Sequence, residues 1–189
     1  MSNNKEERIY KDTVHMFLAL QRMSKQGKKR CIRSVIKHNE EDDLKAFEGK
    51  IKVIGGEWRI YKTVNARCID KAYKVFMKMM IDWPERASCI DSIWRTALLQ
   101  RECKAEKYFM LDIDTEELKH LEKIEFLILA NNGKVLKRVK SPSGWHYITE
   151  PFDVRQVQEL NTDCIANRVG DAVTLLRDGY YYIKTVGEE

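Results

Sequence analysis

The stretch Tyr108-Phe-Met-Leu-Asp-Ile-Asp-Thr115 constrains this chain more than any other. Its apolar residues read as a buried strand, and the strand closes on two acids two positions apart. Side chains alternate across a strand, so Asp112 and Asp114 fall on the same face. Neighbouring carboxylates repel, and burying them costs several kcal/mol unless a cation or a shared proton offsets the charge. A divalent metal is the simplest such partner.

A second constrained stretch follows it. Val135–Lys140 and Trp145–Thr149 flank Ser141-Pro-Ser-Gly144, which has the residues of a tight connection between antiparallel strands. Lys134, Lys137, Arg138 and Lys140 lie here with no acid among them. Phosphoryl and nucleotidyl transfer needs cations over the developing charge, a rigid place to hold them, and donors for the phosphate oxygens. Paired aspartates at a strand end answer the first two needs, and the basic hairpin answers the third. Gly144 lets backbone N–H groups approach a phosphate, and His146 can donate a hydrogen bond to it.

The remaining elements follow from periodicity. Residues 5–26 place Val14, Phe17, Leu18 and Leu20–Met23 at helical spacing, with Gly27 and Lys28-Lys29-Arg30 ending the helix. Cys31–Lys37 alternates as a strand, Glu40-Glu-Asp-Asp43 reads as a surface turn, and Gly55-Gly56 breaks the chain before a strand over Glu57–Asn65. Arg59 and Arg67 bracket the polar, donor-rich face of that strand. From Ile69 an apolar stripe of Ala72, Tyr73, Phe76, Met77, Met80 and Ile81 predicts a helix stopped by Trp83-Pro84, its methionines filling core. Another helix is expected over Cys89–Arg101, and a third from an N-cap at Thr115 to Asn131-Asn132-Gly133. A short helix from Pro151 to Leu160 and strands near Asp163–Asn167, Ala172–Leu176 and Tyr180–Thr185 complete the expectation. The class is α/β in the broad sense, α+β in detail. We expect one domain over 1–189, softly divided into an N-terminal α/β unit, 1–104, and a second half, 105–189.

Length and composition set limits on partners and compartment. At 189 residues, 43% hydrophobic and 33% charged, the chain suits one globular domain. No apolar run is long enough to span a bilayer and Met1-Ser-Asn-Asn-Lys-Glu-Glu lacks the apolar core of a signal peptide, so a cytoplasmic protein with no membrane partner is expected. Cys31, Cys68, Cys89, Cys103 and Cys164 are odd in number and widely scattered, which suits reduced thiols rather than a disulfide frame or zinc knuckle. Residues 1–37 carry ten Lys or Arg against three acids, a charge cluster that suits a phosphate-bearing partner or a solvated face.

Together, the motifs resemble the archaeo-eukaryotic primase superfamily, which includes small-subunit primases, primase-polymerases and the polymerase domains of bacterial end-joining ligases. Phe109-Met-Leu-Asp112-Ile-Asp114 is similar to its first motif, an apolar strand ending D-x-D or D-x-E. Ser143-Gly-Trp-His146 is similar to its S-x-H motif, although Ser143 stands three positions before the histidine and Gly144 two. Trp58–Arg67 resembles the strand that precedes the catalytic half in several members. The resemblance covers residues 57–178 and implies an RRM-like mixed or antiparallel sheet, on which the N-terminal unit packs, carrying the catalytic strand and hairpin. It also implies that Asp112 and Asp114 bind catalytic Mg2+ or Mn2+ and that His146 contacts the phosphates of an incoming nucleoside triphosphate. Ser143, Gly144, Lys140, Arg138, Arg59 and Arg67 are the accompanying nucleotide-binding candidates. A third metal-binding acid is expected on a later strand. Asp163, followed by Asn167-Arg168, is the first candidate, with Asp171 and Asp153 as alternatives.

The activity so implied is metal-dependent nucleotidyl transfer onto a DNA or RNA strand, in DNA replication, with a template and a helicase or other replication protein as partners. The chain is short enough for a minimal catalytic core encoded by a phage or mobile element, acting in the host cytoplasm. Two other readings are open: a nucleic-acid-binding protein that keeps the fold without turnover, and a haloacid-dehalogenase-like phosphatase. The phosphatase reading takes Asp112-Ile-Asp114 as its nucleophile motif and Asp171 and Asp178 as metal ligands, but Glu116 stands where that family wants Thr or Val.

Overall fold

The computed structural model describes residues 13–21, 30–37, 39–153 and 173–187. It is a mixed α+β fold built on antiparallel sheets, as the sequence suggests. Two compact units form, one from the described residues up to Glu106 together with the chain end from Lys184, the other from Lys107–Ile183.

The first unit contains β1 (Thr13–Val14), β2 (Met16–Gln21), β3 (Cys31–Val35), α1 (Glu40–Ile54), β4 (Trp58–Thr63), β5 (Arg67–Cys68), α2 (Ile69–Asp82) and α3 (Ile90–Leu98). Here the expected helix over 5–26 is overturned, because β2 is a strand pairing antiparallel with both β3 and β4. Both its faces are covered: Phe17 stacks on Phe47 of α1, while Met16 packs with Ala72 of α2 and Leu98 of α3. A strand buried on both sides reads as an unbroken apolar run, and a short run of that kind does not distinguish strand from helix.

The acidic turn at Glu40–Asp43 is likewise replaced, by the first turn of α1. Asn39 caps that helix, its side chain accepting the Glu41 N–H at 2.9 Å, and the four acids lie where the positive end of the helix dipole favours them. Only Phe47 and Ile51 of α1 are buried, too narrow a stripe to announce a helix. The predicted apolar stripe of α2 is only partly core. Ala72 is buried and Phe76 meets Trp94 edge-on at 5.6 Å, but Tyr73, Met77 and Ile81 are exposed.

The second unit contains β6 (Phe109–Ile113), α4 (Leu118–Ala130), β7 (Val135–Ser141), β8 (Gly144–Thr149) and β9 (Val173–Leu176), and the C-terminal strand β10 (Tyr180–Val186) begins in it. Its sheet runs β7-β8-β6-β9, all neighbours antiparallel. Strands β6 and β7 are therefore parallel, joined by α4, with β8 inserted between them, the split β-α-β arrangement expected of an RRM-like sheet. Helix α4 covers one face: Leu121, Ile124 and Ile128 pack on Leu111, Ile113, Tyr147 and Val173. It starts at Leu118 rather than at a Thr115 cap, because the Thr115 hydroxyl instead accepts the Glu117 N–H within the preceding turn.

The expected Pro151 helix and the strand near Asp163 lie, beyond Asp153, outside the described residues. Cys31, Cys68, Cys89 and Cys103 are free thiols, and burial pushes the Cys103 thiol up. Among the described residues no helix is long and apolar enough to cross a membrane.

Candidate functional site

The β6 alternation creates the site. Leu111 and Ile113 point into the α4 core, so Met110, Asp112 and, by continuation past the strand end, Asp114 take the opposite face. Directly across β8, Asp112 is paired with His146, and on β9 with Thr174. The His146 ring is nearly closed off, at 5% exposure, whereas the Asp112 side chain is 38% exposed.

The hydrogen bonds assign the His146 tautomer. Nδ1 accepts the backbone N–H of Tyr182 at 2.9 Å and so carries no proton. The neutral ring therefore has its proton on Nε2, 3.2 Å from Asp112 Oδ1, and donates it there. His146, the candidate phosphate contact, thus also orients Asp112. The Ser143 hydroxyl does the same for the second acid, donating to Asp114 Oδ1 at 3.0 Å. Each carboxylate thus uses one oxygen on a neighbour, Asp112 on His146 and Asp114 on Ser143.

Gly144 brings β8 this close to the end of β6. A Cβ there would stand 2.0 Å from the Ile113 carbonyl oxygen and 2.9 Å from the Thr115 nitrogen. The tight approach is therefore to backbone of the same sheet, and it lets the Pro142-Ser143 connection deliver Ser143 to Asp114.

The other candidates are distributed elsewhere. Arg138 and Lys140 pair with Tyr147 and Trp145 and so lie on the α4 face. Arg138 makes two 2.7 Å bonds to Glu125, and Lys140 reaches Glu116 at 2.5 Å. The Arg138 guanidinium holds the Glu125 carboxyl below its usual range, and burial with the Glu125 bond pushes Tyr147 up to about 12. Arg59 and Arg67 belong to the first unit, where Arg67 is 1% exposed and the Arg59 Nε–H meets no acceptor among the described residues. Asp153 follows Phe152, whose ring packs against Phe109 at 5.9 Å, so it stands beside the start of β6, the end away from Asp114. Asp163 and Asp171 lie outside the described residues.

Lys137 and Thr174 share the Asp112 face and were not singled out from sequence. Lys137 pairs with Ile148, and its ammonium lies 4.6 Å from the Tyr181 ring centre. The signal was present for Lys137: a two-residue hairpin closing on Ser141 and Gly144 puts Val139 opposite His146, and so gives Lys137, not Arg138 or Lys140, the face of Asp112. For Thr174 the sequence carries no comparable signal.

As a metal site, the donor set is two carboxylates at an accessible strand end. Hard oxygen donors suit Mg2+ or Mn2+, and Mg2+ is commonly held by one or two carboxylates with water and substrate phosphates completing the shell. Among the described residues no three His, Cys, Asp or Glu side chains are grouped to hold a metal ion. Compared with family models, characterised proteins and solved structures, the chain matches none.

Proposed function

We propose that this chain is a metal-dependent nucleotidyltransferase of primase-polymerase type, adding nucleotides from nucleoside triphosphates to a DNA or RNA strand on a template. One observation carries the reading: two motifs distant in sequence meet in one array, His146 Nε2 at 3.2 Å from Asp112 and Ser143 Oγ at 3.0 Å from Asp114. Asp112 and Asp114 would hold Mg2+ or Mn2+, which supplies charge stabilisation to the transferring phosphate. His146 keeps the Asp112 carboxylate oriented through its Nε2–H, and Tyr182 keeps that proton on Nε2 by occupying Nδ1. Ser143 orients Asp114.

The test is primer extension and unprimed synthesis with labelled nucleotides in Mg2+ or Mn2+, comparing wild type with the double variant Asp112→Ala, Asp114→Ala. Loss of both carboxylates should lower incorporation by about a thousandfold or more, equivalent to about 4 kcal/mol of barrier. Incorporation that survives the double substitution removes the proposal. The alternative reading is a nucleic-acid-binding protein that keeps the fold without turnover. That reading gains if triphosphate with Mn2+ gives no thermal shift while an oligonucleotide still binds.

A further inference from the structure

The first unit holds a groove of about 780 Å³ lined by the edge strand β3, α1 and α3. Arg33 and Lys37 enter it from β3 and the residues after it, Lys50 from α1, and Arg95 from α3, against the single acid Asp91. Among the described residues none of these four cationic side chains is held in an ion pair. That contrasts with Lys62, Arg138, Lys140 and Lys184, each of which meets a glutamate.

The backbone of β3 adds donors to the same wall. Gln21 N–H bonds the Arg30 carbonyl and Ile36 N–H bonds the His15 carbonyl, so in this antiparallel register the even-numbered residues of β3 face β2. Cys31, Arg33 and Val35 therefore turn their N–H and C=O groups outward, at an edge that no described strand occupies. Trp94, half-buried against Phe76, contributes an aromatic surface to the lining.

We infer that this groove binds the phosphate backbone of a single-stranded nucleic acid, with Arg33, Lys37, Lys50 and Arg95 as phosphate contacts and Trp94 as a stacking surface for a base. Unneutralised cations along a groove, outward N–H donors and an aromatic plane are the components of sequence-tolerant strand binding. The volume falls in the range of small-ligand sites, suited to a short stretch of one strand. Arg33 and Lys37 belong to the basic region over residues 1–37. This inference concerns a separate surface and stands whether or not that array turns over.

The test is fluorescence anisotropy of a labelled single-stranded DNA oligonucleotide with the full chain, in EDTA and without triphosphate. The variant Arg33→Glu, Lys50→Glu changes two exposed side chains, and Lys74→Glu, Lys78→Glu on α2 is the control with the same change in net charge. We expect the groove variant to bind at least tenfold more weakly, and the control to bind as the wild type does. The slope of log affinity against log salt should shrink by about 1.4 in the groove variant, two contacts at about 0.7 each. The milder pair Arg33→Gln, Lys50→Gln should show the same trend, which guards against a folding defect. Equal weakening by both charge reversals, unchanged binding in the groove variants, or competition by polyglutamate as effective as that by unlabelled oligonucleotide would overturn the inference. Because Asp112→Ala, Asp114→Ala should bind the oligonucleotide normally, failure of nucleotide incorporation leaves this result untouched.

Discussion

The two faces of the β7-β8-β6-β9 sheet differ by one residue step along each strand, yet they are different chemical surfaces. On the α4 side, Leu111, Ile113, Tyr147 and Val173 are closed by aliphatic side chains, and the cations at its margin are matched by Glu125 and Glu116. On the other side Asp112 and His146 form a polar pair beside the buried Met110 and Ile148, and β10 supplies both the Tyr182 N–H to His146 and the buried Tyr181 ring beside Lys137. Five residues of β6 thus carry both the unit's core and its candidate chemistry, separated only by strand parity. Substitutions on the two faces should therefore fail in different ways.

The largest expected effect on stability comes from the closed face. Leu111 is fully buried, so Leu111→Ala should destabilise the protein by about 2–5 kcal/mol through lost burial and the cavity left behind. Asp112→Asn, one residue along, should change stability far less while removing nucleotide incorporation. Urea unfolding beside primer extension reads both quantities. If Asp112→Asn costs as much stability as Leu111→Ala, the carboxylate is structural and the division between faces is wrong.

Next in size is the point where both faces depend on the same backbone contact. At Gly144 an added Cβ meets the Ile113 carbonyl and the Thr115 nitrogen, backbone atoms that cannot rotate away. Gly144→Ala should force β8 from the end of β6, costing about 1–3 kcal/mol of overpacking strain and moving Ser143 and His146 away from the two aspartates. Stability and incorporation should fall together, unlike in either variant above. Wild-type stability in Gly144→Ala would mean that the two strands separate there without penalty.

What the sequence disclosed about this sheet, and what it concealed, follows the same parity. The strand with Asp112 and Asp114, the hairpin and the long helix between them were legible because alternation, turn residues and a Gly-containing stop each act locally. So were β3, β4 and the helices after Ile69 and Cys89. Strand β2 was not, since burial on both faces erases the alternation that marks a strand. Helix α1 was hidden by its charge, with only Phe47 and Ile51 to show a buried stripe. Within the site, the residue types were readable but their partners were not. Nothing local says that a Tyr182 amide holds Nδ1 of His146, because that bond closes across 36 positions. The facing of Arg138 is recoverable from the hairpin register, which divides the basic strand into two surfaces.

Arg138 also supplies the smallest and most discriminating effect. Its fork to Glu125 is bidentate but half open to water, with the Arg138 side chain 52% exposed, so solvent screening limits its worth to about 1 kcal/mol. The Glu125 carboxyl lies below its ordinary range chiefly because the guanidinium bonds its charged form. A carboxylate depressed on folding contributes stability above its unfolded value, about 4.3 for Glu, and that contribution is lost as the pH falls through the lower folded value. Arg138→Ala should therefore be less stable than wild type at pH 7 by about 1 kcal/mol or less. The gap in urea unfolding should close as acid protonates Glu125. Incorporation at neutral pH should stay near wild type, since Arg138 lies on the face that α4 covers and Asp112 on the other. A large loss of incorporation with stability intact would place Arg138 in contact with the nucleotide, and would show that the two faces communicate through the sheet rather than being divided by it.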